Sequence, residues 1–142
     1  MFGLLVLLAS CGGDENSPEN EIRAWVNRGE LAAEERDRGE LLDMISVNYT
    51  DAHGNDRKNV GDLLRLYFLR QDSVALLTSI DDISLSGATA AKVQVAVGMA
   101  GSSNNALGFD ADAYNFEFEL IKSDGDWLLI GAQWGRLGSE LL

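Results

Sequence analysis

The sequence predicts an α+β domain in which three N-terminal helices pack on one face of a strongly curved antiparallel sheet. Three observations carry that expectation. Apolar residues recur at helical spacing as far as Arg70, the spacing becomes alternating after Gln71-Asp72, and the chain closes on an aromatic hairpin between Tyr114 and Trp134.

Ser17-Pro18 opens the first helix as N-cap and first helical residue, with Glu19 and Glu21 near the positive end of its dipole. Ile22, Trp25, Val26, Gly29, Ala32 and Ala33 then share one face, opposite Arg23, Asn27, Glu30 and Glu34. Asp37 with Glu40 has capping-box spacing and starts a second helix whose Leu41, Leu42, Ile45 and Tyr49 face inward. After the turn-forming run Tyr49 to Asp56, a third helix begins at Asn55 or Asp56 and continues through Val60, Leu63, Leu64, Tyr67 and Phe68 to Arg70.

Alternation then predicts one strand over Val74, Leu76, Thr78 and Ile80, a second short one at Ile83 and Leu85, and a third from Lys92 to Met99. Gly101 to Ala113 reads as a long loop. In the closing hairpin, Tyr114, Phe116, Phe118 and Leu120 form the apolar side of the first strand, and Ser123-Asp124-Gly125-Asp126 suits a two-residue type I′ turn. Counting back from that turn pairs Leu120 with Leu129, Phe118 with Gly131 and Phe116 with Gln133 on the core side. Ile121, Leu128, Ile130 and Trp134 then fall on the opposite side, where apolar residues need cover, and a homodimer through that sheet face is expected.

With 142 residues, 46% of them hydrophobic, the chain is long enough to bury a core without disulfides or metal. Asp and Glu outnumber Lys and Arg by 23 to 11, a formal charge of −12 that repels a phosphate backbone, so no nucleic-acid partner is expected. One cysteine excludes an internal disulfide framework and a multi-Cys zinc site, and one histidine excludes the common multi-His metal sets. No metal or cofactor is expected. No Gly-x-Ser-x-Gly elbow, P-loop or His-Glu-x-x-His occurs.

Met1 to Ala9 is almost wholly apolar, yet a helix of that length rises only ~14 Å against a hydrocarbon core of roughly 30 Å. It reads as a signal-peptide core rather than a membrane span. Leu8-Ala9-Ser10-Cys11 resembles the lipobox of bacterial lipoproteins. That resemblance implies a signal peptide over 1–10, lipid on Cys11, a tether over 11–17, and a folded domain over 18–142 held at the bacterial cell envelope, facing the periplasm. No Lys or Arg precedes the apolar run, which points to a truncated or misassigned start, or to another fate for the segment.

The order of elements, the Tyr49-x-Asp51-x-x-Gly54 loop between helices two and three, and the Asp-Gly-Asp-Trp hairpin leading to Gln133-Trp134 resemble the nuclear transport factor 2-like superfamily over residues 18–137. The resemblance implies a cystatin-like cone whose sheet and helices enclose a pocket, commonly in a dimer. Ketosteroid isomerases, scytalone dehydratases, polyketide cyclases and noncatalytic binding modules share that layout, so the fold alone does not assign a function.

Candidate site residues follow from both lines. Asp51-Ala52-His53-Gly54 is similar at the Asp and the Gly to the Asp-Pro-x-Gly turn that holds the general base of ketosteroid isomerases, so Asp51 is the weak catalytic candidate, with Tyr49 and His53 beside it. The oxyanion hole of that mechanism has no counterpart motif here. Structurally, Asp51 caps its own turn and Asn55 or Asp56 caps the third helix. Tyr49, Asp51, Tyr67, Phe116, Phe118 and Gln133 are the expected pocket-lining residues, Gln133 because the expected register turns its amide inward. The leading expectation is a noncatalytic, lipid-anchored domain that binds a small apolar ligand in its cone or a protein partner on its sheet. The alternative is an acid–base isomerase or dehydratase using Asp51.

Overall fold

The computed structural model describes residues 17–102 and 109–137. The apolar leader, Cys11 and nearly all of the tether lie outside them. Within them the chain runs α1 (Pro18–Glu34), α2 (Arg38–Asp43), α3 (Arg57–Arg70), β1 (Ser73–Ser86), β2 (Ala90–Ser102), β3 (Phe109–Ser123) and β4 (Asp126–Arg136). The four strands form one antiparallel meander in the order β1-β2-β3-β4, and the α+β architecture of three helices on a curved sheet is as expected.

Each helix starts where its capping residues dictate. Ser17 accepts from the Asn20 backbone N–H at 3.2 Å, Asp37 from Glu40 at 3.0 Å, and Asp56 exchanges bonds with Asn59 in a full capping box. The second helix ends earlier than expected, at Asp43. Its continuation is taken by β4 instead: the Leu129 N–H donates to the Met44 carbonyl at 2.9 Å, and the Ser46 N–H donates to the Leu129 carbonyl at 2.9 Å. Ile45 and Val47 are β-branched and Ser46 and Asn48 are weak helix formers, so the tertiary pairing wins. Arg57 completes the stop by donating through Nη2 to the Leu42 carbonyl at 2.8 Å and through Nε to the Ile45 carbonyl at 3.1 Å.

The two short strands expected before Ser86 are one strand, β1, interrupted by a bulge at Asp81 that leaves this residue unpaired between Ile80 and Asp82. The expected loop over Gly101 to Ala113 also contracts. Pairing from Gly101↔Asp110 to Gly98↔Ala113 extends the β2–β3 ladder to both sides of residues 103–108. Small and acidic residues have low strand propensity, but the neighbouring ladder supplies backbone partners that outweigh it.

The closing turn is as read, with Asp124 at φ 51° and Gly125 at φ 86°. Leu120 meets Leu129 and Ile121 meets Leu128. The next residue breaks the count. Ile130 bulges out, Glu119 pairs with Gly131, Phe118 with Ala132, Glu117 with Gln133 and Phe116 with Trp134. One extra residue exchanges the two faces of everything beyond it. Trp134 therefore lies on the Phe116 face rather than on an outer partner face, and Gln133 lies with Glu117 rather than inside.

The core sits under α1. Ile22, Val93, Val95 and Leu120 are fully buried, and Val26, Tyr49, Ala91, Val97, Trp127 and Leu129 complete the cluster. α1 packs along β1, whereas α3 packs closely only against α2 and stands off from the sheet. The space between α3 and the sheet is where the site lies.

Candidate functional site

A cavity of about 610 Å³ opens between α3 and the inner face of the sheet. A second compartment of about 240 Å³ continues toward α1, sharing Leu76, Met99, Phe116 and Phe118 in its walls. Tyr49, Asp51, Tyr67, Phe116 and Phe118 all line the larger compartment; Gln133 does not, and its amide donates to the Glu117 carboxylate instead. The bulge at Ile130 is the physical reason, and Trp134 takes the inward position.

The period-two spacing of β3 organises one wall. Tyr114 and Phe116 have ring centroids 6.2 Å apart, Phe116 and Phe118 stack at 5.2 Å, and Phe118 meets the edge of Trp25 at 5.7 Å. Trp134 stacks on Phe116 at 5.8 Å and on His53 at 4.1 Å. Aromatic rings thus run without interruption from the turn that carries Asp51 to the helix α1 side of the cone.

That turn is held against β4 by two backbone bonds, from the Thr50 N–H to the Ile130 carbonyl at 3.2 Å and from the Ala52 N–H to the Ala132 carbonyl at 3.0 Å. Gly131 lies between those acceptors; a Cβ there would sit 3.4 Å from the Thr50 carbonyl and 3.1 Å from the Glu119 carboxylate. Gly54, at φ 79°, closes the turn in a conformation that side-chain-bearing residues rarely adopt.

Asp51 is the hub of the turn. Its Oδ1 accepts from the His53 N–H at 2.9 Å, the Asn55 N–H at 3.0 Å and the Asn55 side-chain amide at 3.3 Å, and its Oδ2 accepts from the Tyr49 hydroxyl at 2.8 Å. Burial favours the protonated acid, but the Asn55 N–H, the Tyr49 hydroxyl, the His53 N–H and the Asn55 amide outweigh it and hold the carboxyl below the usual range. Tyr49, only 3% exposed, is pushed in the other direction, first by burial and then by the bond to Asp51 and its charge. The pair consists of a carboxylate that resists taking a proton and a phenol that resists losing one. Such a pair fixes a turn well and is poorly matched to proton transfer near neutral pH.

Sequence reasoning missed Trp134, Asn55 and Asp112, all of which line the larger compartment. Asp112 was legible: it continues the Leu120, Phe118, Phe116, Tyr114 alternation by one further step of two. Trp134 was not, because no residue type announces a bulge at Ile130. Among the described residues no group of three or more His, Cys, Asp or Glu is placed to hold a metal ion.

No family model and no curated protein matches the chain. Solved structures do. A scytalone dehydratase-like protein from Novosphingobium aromaticivorans superposes with a TM-score of 0.77 at 13% identity, covering 87% of this chain and 85% of that one. The fold is that of the nuclear transport factor 2-like proteins. A ketosteroid isomerase-like protein from Erwinia carotovora atroseptica matches at TM-score 0.70 and 15% identity over 87% of this chain and 99% of that one. A nuclear transport factor 2-like superfamily protein from Salmonella enterica serovar Typhimurium matches at 0.71 and 11%, over 84% and 90%. At these identities the shared property is the fold alone.

Proposed function

We propose that this chain is a noncatalytic domain of a bacterial envelope, tethered by lipid on Cys11, that binds a small apolar ligand in its cone. The observation that carries the reading is the cavity of about 610 Å³, apolar along most of its wall, between a sheet and a helix that does not close onto it. Volumes of that size are typical of ligand sites. The competing acid–base reading needs Asp51 to accept a proton. Its oxygens already take four hydrogen bonds, which stabilise the charged form and weaken it as a base.

The test is to purify the full chain from its native host, measure its intact mass, and extract and identify whatever the cone retains. An N-terminus at Cys11 carrying acyl mass, together with a stoichiometric apolar molecule, is the expected result. An intact Met1 without acylation would remove the anchor, and an empty protein whose melting temperature no apolar compound raises would remove the ligand-binding reading. Retained isomerase or dehydratase turnover that Asp51→Asn abolishes would instead favour the enzyme.

Homodimerisation through the outer sheet face remains part of the proposal. Leu77 of β1 is 79% exposed, and Ile121 and Leu128 pair on the hairpin without full burial. A monomeric mass in solution at micromolar concentration would count against it.

A further inference from the structure

We infer that the ligand of the cone is an organic cation, an apolar and preferably aromatic body bearing an ammonium group, bound with its charge at the mouth between Asp51 and Asp112. The inference rests on the reading of the cone as a ligand pocket and adds the chemical class.

The charge of the lining is one-sided. Asp51 and Asp112 line the larger compartment and Glu30 the inner one, while no described lining residue of either compartment is Lys or Arg. Glu30 is occupied by the Thr78 hydroxyl at 3.0 Å. Asp51 keeps its charge but is tied into its turn. Asp112 is exposed and has no hydrogen-bond or ion-pair partner among the described residues. A carboxylate or phosphate ligand would add its charge to those of two carboxylates in a space that no Lys or Arg lines, Arg136 opposite Tyr114 on β4 lying outside that lining, and repulsion in a partly enclosed space is stronger than in water.

The walls favour a cation independently. Tyr114, Phe116 and Trp134 line the same compartment as the two carboxylates, and an ammonium group near such rings is attracted by their quadrupoles. The apolar body then has the stacked Phe116 and Phe118 rings to lie against and the inner compartment to extend into. The net charge of −12 adds long-range attraction for cations.

Three probes with one ring system separate the possibilities: 9-anthracenylmethylammonium, 9-anthracenemethanol and 9-anthracenecarboxylate, each titrated into the full chain at pH 7 and followed by probe anisotropy. The ammonium is expected to bind at least about tenfold more tightly than the carboxylate, with the alcohol between them, and the preference is expected to shrink as salt is raised. Asp112→Asn should reduce ammonium binding several-fold and alcohol binding by much less, narrowing the ratio between the two. If the alcohol binds but the carboxylate binds as well as the ammonium, the charge assignment is wrong while the pocket reading stands. If none of the three binds, both are overturned.

Discussion

At the α1 end of the cone, Val93, Leu120 and Trp127 from three strands close onto Ile22 and Val26 with almost no exposure. At the α3 end, Phe116, Tyr114 and Trp134 from two of the same strands face a helix across an open cavity. The alternation of side chains is the same at both ends. What differs is the helix opposite: α1 buries Ile22, Val26 and Ala32, whereas α3 buries only Gly61 and leaves Leu63, Leu66 and Leu69 half or more exposed. Apolar residues on a strand therefore do not by themselves announce a core. They announce a surface that something apolar must cover, and at one end that cover is not supplied by the helix.

The largest test of the contrast is truncation at each end. Leu120→Ala, at a residue 1% exposed, is expected to cost about 2 to 5 kcal/mol in urea unfolding. Phe116→Ala removes more atoms but from a cavity wall, so its cost is expected to be clearly smaller while ligand binding is lost. Equal losses would mean that the α3 end is packed as tightly as the other.

Asp51→Asn comes next. Because the folded carboxyl is held below its ordinary range, its contribution is present above the unfolded value near ~3.9 and is lost as pH falls through the depressed folded value. The variant is expected to lose about 1 to 3 kcal/mol at neutral pH, as for hydrogen bonds to a charged group. That deficit should narrow below pH ~4, read from chemical denaturation across the acid limb. A deficit that persists unchanged in acid would show that the charge of Asp51 is not what holds the turn.

Tyr49→Phe is the smallest, about 1 kcal/mol for one hydrogen bond in a buried ring that otherwise keeps its packing. It sharpens the contrast because Tyr49 belongs to both ends: its ring is in the core cluster and its hydroxyl holds the Asp51 turn. A loss of several kcal/mol would place the hydroxyl among the main supports of the core.

The sequence was most readable where one local rule acted alone. Ser17-Pro18 and Asp37 marked two helix starts, Asn55 or Asp56 bracketed the third, Asp124-Gly125 marked the turn, and the period-two apolar run marked β3. It was least readable where distant backbone groups competed. The second helix yielded at Met44 because β4 offered its carbonyl and N–H at Leu129, and no property of residues 44–49 names that partner. At the site, Tyr49, Asp51 and the β3 aromatics follow from local pattern. The identity of the inward residue on β4 depends on a count that one unpaired residue upsets.

That residue sets the phase of the strand. A β-strand is read in steps of two, and if Ile130 were paired with Glu119 instead of bulging out, Gln133 would take the place of Trp134 opposite Phe116 without a change in any amino acid. Whether this residue bulges or pairs therefore decides if one sequence of side chains presents an aromatic or an amide wall to a ligand. Comparing relatives of this chain by residue identity alone would overlook it; they must be compared by the strand register between the Asp-Gly turn and the Gln-Trp pair.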